Sequence, residues 1–221
     1  MKLLISALIK FISGIVLVGA LLFLPAFTIC YPYAWLFLGI LFVPMLLMGV
    51  VLFVKSPDLL KKRLDGKEKE KSQRGVVALS GLIFPAGFII SALDYRYSWS
   101  EVPMWLVITA ALLFLCGYAT YAEVMRENAY LSRTVEVQDG QKVISTGLYS
   151  CVRHPMYLST LFMFLPIPLV LGSFYGLIPF AVYPVMIVFR IMGEEKLLTK
   201  ELSGYAEYKQ KVKYRLIPFI W

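Results

Sequence analysis

Residues 155–190 read PMYLSTLFMFLPIPLVLGSFYGLIPFAVYPVMIVFR, with no charge before Arg190. Gly172-Ser173 divides the stretch into two apolar runs, 155–171 and 174–190. Seventeen helical residues rise about 25 Å, a little less than the roughly 30 Å hydrocarbon core of a bilayer. Pro166, Pro168, Pro179 and Pro184 fall inside the runs. Membrane helices tolerate proline where neighbouring groups satisfy the freed carbonyls. The stretch is therefore expected to form a kinked helical hairpin that barely crosses a membrane.

Four further apolar runs precede it, at 3–27, 33–54, 76–93 and 103–122. The chain of 221 residues is 59% hydrophobic and 16% charged, with a mean hydropathy of +0.73. Soluble domains carry about 25% charged residues, so a water-soluble globule and a disordered chain are both excluded. The expected fold is all-α: a polytopic helical membrane protein with about six crossings, the last two being the short hairpin, and a cytosolic helical C-terminal segment. Residues 1–122 read as N-terminal transmembrane helices and 123–221 as a C-terminal catalytic region.

The net charge of +8 is not a nucleic-acid footprint, because the basic residues sit in short loops between apolar runs. The 55–74 segment holds Lys55, Lys61, Lys62, Arg63, Lys67, Lys69, Lys71 and Arg74 against four acids. Basic loops face the cytosol, which puts both termini and residues 123–154 there too and leaves Arg96 as the one basic residue on the far side. A multi-pass protein of a bacterial inner membrane is expected, with anionic lipid against the basic loops. The Met-Lys start and the apolar run after it lack a small-x-small cleavage site and read as a retained first helix. Cys30, Cys116 and Cys151 form no CxxC pair, so neither a disulfide framework nor a metal site is expected.

If the hairpin turns at residue 173, position n faces roughly position 346 − n. Arg153 and His154 then lie opposite Gly193 and Met192, beside Glu194-Glu195, and Arg190 falls one turn deeper, near Met156 and Tyr157. Pro155 suits the first position of a helix. The free N–H groups at that helix start, with Arg153 and His154, make a candidate carboxylate or phosphate site. The two glutamates could hold an ammonium group or a pair of hydroxyls. A mouth with both features suits a zwitterion that carries a ribose. Taken singly, Arg153 reads as an interfacial anchor, the glutamates as a solvated helix end and the tyrosines as belt residues. Arg190 is harder to dismiss, since an arginine at the edge of an apolar run is costly without a partner or function.

The order Gly147-Leu148-Tyr149, Arg153-His154-Pro155-Met156-Tyr157, apolar hairpin, Arg190, Glu194-Glu195, Gly204-Tyr205, Tyr208 and Arg215-Leu216-Ile217-Pro218 resembles the integral-membrane methyltransferases. That superfamily includes isoprenylcysteine carboxyl methyltransferases and phospholipid N-methyltransferases. The resemblance covers about residues 120–221. It implies S-adenosyl-L-methionine bound at the cytosolic mouth, leaving as S-adenosyl-L-homocysteine. It implies that Gly147, Tyr149, Arg153, His154, Pro155, Tyr157, Glu194 and Glu195 line or shape the cofactor site, with Arg190 near the methyl acceptor. Arg190 and Glu194 are the candidate catalytic residues.

The acceptor is expected to be a lipophilic small molecule or a lipidated substrate. A carboxylate is ionised near neutral pH and needs only a cation to orient it, which Arg190 could be. An amine would need a base such as Glu194, and a small thiol would need its thiolate stabilised. Arg190 tilts the reading toward the carboxylate of an isoprenylcysteine-like or other anionic amphiphile, with a phosphatidylethanolamine-type amine or a small thiol as alternatives. A membrane reductase and a non-enzymatic scaffold are the readings from other classes.

Overall fold

The computed structural model describes residues 2–64, 74–132 and 134–221, and every regular element among them is helical. Five helices are long and apolar enough to cross a membrane: Leu3–Ala26, Pro32–Lys55, Ala78–Tyr97, Met104–Glu127 and Leu177–Glu201. A shorter apolar stretch, Pro155–Val170, lies among them. The protein is thus a polytopic helical membrane protein. Its first four long helices are α1 (Lys2–Ala26), α2 (Pro32–Lys55), α4 (Arg74–Tyr97) and α5 (Met104–Glu127), with the short α3 (Pro57–Leu64) between α2 and α4. Lys67, Lys69 and Lys71 of the basic segment lie outside the described residues.

The hairpin is broken where its prolines predict. Helix α6 (Pro155–Phe164) stops, and α7 (Ile167–Val170) restarts. Pro166 and Pro168 lack the N–H groups that would bond the carbonyls four residues back. On the return, α8 (Leu177–Phe180) precedes α9 (Tyr183–Glu201). Helix α9 runs well past Arg190, and Ile191, Glu195 and Leu198 continue the buried face set by Ile187. The single Gly193 does not interrupt the helix, which ends only just before Ser203-Gly204. The last element, α10 (Tyr205–Lys211), follows Gly204, whose φ of 82° is the left-handed conformation that glycine adopts freely.

The main apolar core joins α1, α2, α4 and α5 to the hairpin through Leu22, Phe37, Phe88, Phe114, Ile167 and Phe180. Helices α5 and α6 touch backbone to backbone at Gly117, where an added Cβ would stand 2.8 Å from the Met163 nitrogen. At the far end the hairpin tip is bolted down. Asp94, fully buried, accepts hydrogen bonds from Ser173 Oγ at 2.5 Å and from Ser100 Oγ at 2.6 Å. Tyr31 donates to the Leu171 carbonyl at 2.6 Å. A buried tip reached by such side-chain bonds explains how a proline-rich hairpin shorter than its neighbours keeps its place.

Candidate active site

The site forms at the opposite end, where α6 begins and α9 leaves the apolar layer. His154 is the N-cap residue of α6 and Pro155 its first helical residue. The chain just before α6 runs beside the C-terminal segment, so that Arg153 N–H bonds Tyr214 O and His154 N–H bonds Arg215 O, both at 2.9 Å. These bonds carry Arg215 to the same place as Arg153.

Glu195 is the hub. Its side chain is 4% exposed, and its Oε1 accepts from Arg153 Nε at 2.6 Å and lies 3.3 Å from His154 Nε2. Its Oε2 accepts from Arg215 Nε at 3.0 Å, with Lys209 Nζ 3.8 Å away. Arg153 also donates through Nη1 to the Val212 and Lys213 carbonyls at 2.7 and 2.9 Å. The sequence reading paired Arg153 and His154 with a bound anion; here the anion they hold is Glu195 itself. A buried ion pair is tolerable when its remaining donors are also met, as those of Arg153 Nη1 are by the Val212 and Lys213 carbonyls.

One residue earlier on α9, and about 100° around the helix, Glu194 faces a cleft. Its carboxylate accepts a 2.5 Å hydrogen bond from the hydroxyl of Tyr157, and Arg190 lies within reach of that same hydroxyl. Arg190, Glu194 and Tyr157 thus meet as the hairpin arithmetic predicts. The cleft is walled by Tyr149, Arg153, His154, Met156, Tyr157 and Glu194 on the hairpin side. Leu198, Leu202, Tyr205 and Tyr208 form its floor, and the connection from Asn128 to Ile144 closes the other side. It has a narrow interior of about 90 Å³ and about 770 Å³ of free space counting its open mouth. The interior is smaller than small-molecule pockets of about 300–1,000 Å³, so a ligand here would also occupy the open mouth.

Gly147 does not line this cleft, and the structure gives it another task. It stands at φ 53° at the start of a single 3₁₀ turn, Gly147–Ser150. The Glu127 carboxylate caps that turn by accepting from Leu148 N–H at 3.1 Å. A Cβ on residue 147 would collide with that carboxylate. The turn aims Tyr149 inward, where its hydroxyl accepts from Asn128 Nδ2 at 2.8 Å and its carbonyl from Tyr208 at 2.7 Å. Burial pushes the hydroxyls of Tyr149, Tyr205 and Tyr208 above the ordinary phenol value, so all three are donors at neutral pH.

Residues 105–204 match the phospholipid methyltransferase family. The chain thus carries a methyltransferase-family region within a multi-pass helical membrane protein. The family is related to the isoprenylcysteine carboxyl methyltransferases, in agreement with the Arg153-His154-Pro155 and Glu194-Glu195 motifs. The matched methyltransferase region takes in α5, whose Glu127 caps the Gly147 turn, and every site residue predicted from sequence. It ends at Gly204, so Tyr205 and Tyr208 complete the cleft from beyond it, and Arg215 supports Glu195 behind it. From sequence, Tyr205 and Tyr208 read only as belt residues, and Arg215 had no part in the site. Sequence reasoning missed the Asn128-to-Ile144 wall altogether, since that connection has neither apolar periodicity nor a charge pattern to mark it. Of the predicted residues, Tyr149, Arg153, His154, Tyr157 and Glu194 line the cleft, whereas Gly147, Pro155 and Glu195 stand behind it.

Proposed function

We propose that the protein is an S-adenosyl-L-methionine-dependent methyltransferase acting on a lipophilic acceptor, with the carboxylate of an anionic amphiphile as the favoured group. The observation that carries this reading is the position of Tyr157. Its side chain lines the polar cleft, yet it also belongs to the apolar cluster of Leu161, Tyr183, Ile187, Ile191 and Leu216 between α6 and α9. A water-soluble donor in the cleft and an acceptor whose tail lies along that seam would meet at this one side chain.

The cleft fits the donor in kind, with charged groups such as Arg153 and Glu194 beside the apolar floor of Leu198 and Leu202. S-adenosyl-L-methionine, when bound, supplies a methyl group already activated by its sulfonium. The chain's own residues need only hold the partners in line and exclude water. Arg190, at the apolar edge, would orient the acceptor's negative charge. Glu194 would hold the Tyr157 hydroxyl and, through it, the geometry of the junction. Gly147, Pro155 and Glu195 would shape the cofactor site from behind, and Tyr149, Arg153, His154, Tyr157 and Glu194 would line it. The basic end, which carries α3 and the cleft, would face the cytosol with both termini, in a bacterial inner membrane.

A phospholipid amine is the second reading. It is supported by the family name and by the position of Glu194, whose carboxylate lines the cleft within reach of an attacking nitrogen and could take its proton. One experiment separates the two. The purified protein in detergent is given radiolabelled donor with either an S-prenylcysteine or phosphatidylethanolamine. Label that alkali releases as methanol identifies an ester and supports the first reading. Alkali-stable label on the headgroup overturns it in favour of the amine.

A further inference from the structure

Tyr205 opens α10 and is 4% exposed, and its hydroxyl has no hydrogen-bond partner among the described residues. It lines the cleft. A buried hydroxyl left without a partner is rare in a folded protein and calls for an explanation. The ring is not free to swing its hydroxyl elsewhere. It packs with Leu198, Leu202, Tyr208 and Val212 in one apolar cluster, 5.7 Å from the Tyr208 ring. The two tyrosines differ in this respect, because the Tyr208 hydroxyl is spent on the Tyr149 carbonyl.

We infer that the Tyr205 hydroxyl donates a hydrogen bond to an uncharged acceptor atom on the nucleoside half of bound S-adenosyl-L-methionine. The inference rests on the cofactor reading above and adds a contact to it. The choice of half follows from charge. Of the two carboxylates that act on this hydroxyl, Glu195 is already neutralised by Arg153 and Arg215, which leaves Glu194. A carboxylate from the amino-acid end of the ligand would be repelled by Glu194 there, while Arg153 is committed to Glu195. A ribose oxygen or a ring nitrogen meets no such repulsion, and the apolar side chains around Tyr205 suit a flat base.

The test uses the full-length protein in detergent, with Tyr205→Phe and, for contrast, Tyr208→Phe. Binding is measured for S-adenosyl-L-methionine and for 5′-methylthioadenosine, which keeps the nucleoside and lacks the amino-acid end. Tyr205→Phe should weaken both ligands about 3- to 10-fold, the range for one neutral hydrogen bond. Because the empty protein loses an orphaned polar group, its Tm should stay level or rise. Tyr208→Phe, which loses a bond within the protein, should lower it.

Unchanged affinity for both ligands overturns the inference and leaves the cofactor reading intact. A loss confined to S-adenosyl-L-methionine, or wild type that ignores 5′-methylthioadenosine, overturns the assignment to the nucleoside half. A lower Tm for ligand-free Tyr205→Phe shows that the hydroxyl already had a partner, and overturns it too. Wild type that binds neither ligand overturns the cofactor reading itself, and this contact with it.

Discussion

Replacing Glu195 by glutamine is the most informative single change at the charge cluster behind the cleft. The substitution keeps size and shape, removes the negative charge, and turns one oxygen into an NH₂ group that faces a cation. Arg153, with a side chain 6% exposed, would remain buried without its counter-ion. Arg215 and Lys209 are 35% and 34% exposed, so water screens them and their share is small. The loss therefore falls mainly on the Arg153 and His154 contacts. Breaking a buried pair by removing one partner costs about 3–5 kcal/mol. For a chain of this size that corresponds to a Tm lower by roughly 6–20 °C. Glu194→Gln is the comparison. Glu194 accepts from a neutral tyrosine at the rim of an open cleft, so its loss should lower Tm by a few degrees at most while methyl transfer drops. Thermal unfolding of both variants in detergent, with and without S-adenosyl-L-methionine, checks the contrast. Equal Tm values for Glu195→Gln and wild type would refute the argument that this carboxylate holds the hairpin to the C-terminal segment.

Other outcomes follow from single contacts. Arg190→Leu should keep donor binding within a few-fold while methyl transfer falls about 100-fold or more, and Arg190→Lys should restore it only in part because lysine lacks the planar fork; near-normal turnover in the leucine variant would remove Arg190 from the reaction. Gly147→Ala should lower stability by about 1–3 kcal/mol from backbone strain alone, and adding Glu127→Ala should relieve the collision but not the strain, which a double-mutant cycle on Tm would show. Gly117→Val should separate α5 from α6 and abolish donor binding, read by calorimetry after mild solubilisation. Cys30 and Cys151, both exposed, lie at opposite ends of the helices; in single-cysteine versions an impermeant maleimide should label Cys30 on intact cells and Cys151 only after lysis, and the reverse pattern would invert the orientation.

Much of this protein was determined by sequence alone, because the deciding physics is local. A run of some 20 apolar residues has no stable place in water, so the spans were legible from composition, and Pro166 and Pro168 mark the break between α6 and α7 by lacking N–H groups. The meeting of Arg153 and His154 with the Glu194-Glu195 pair was legible too, since a hairpin of known turn position has a simple register. What only the tertiary structure decided is how adjacent residues divide the work. Glu194 and Glu195 are chemically identical and neighbours in sequence. A rotation of about 100° turns one to the cleft and the other into a nest of Arg153, His154 and Arg215, and no pattern along the chain says which face of α9 is covered. The answer depends on where residues 212–216 return, a contact across some 60 positions that the bonds from Arg153 and His154 to Tyr214 and Arg215 create. The wall from Asn128 to Ile144 and the unpartnered Tyr205 hydroxyl are of the same kind. Each is a property of a surface assembled from distant segments, where packing, rather than any local preference, selects the neighbours.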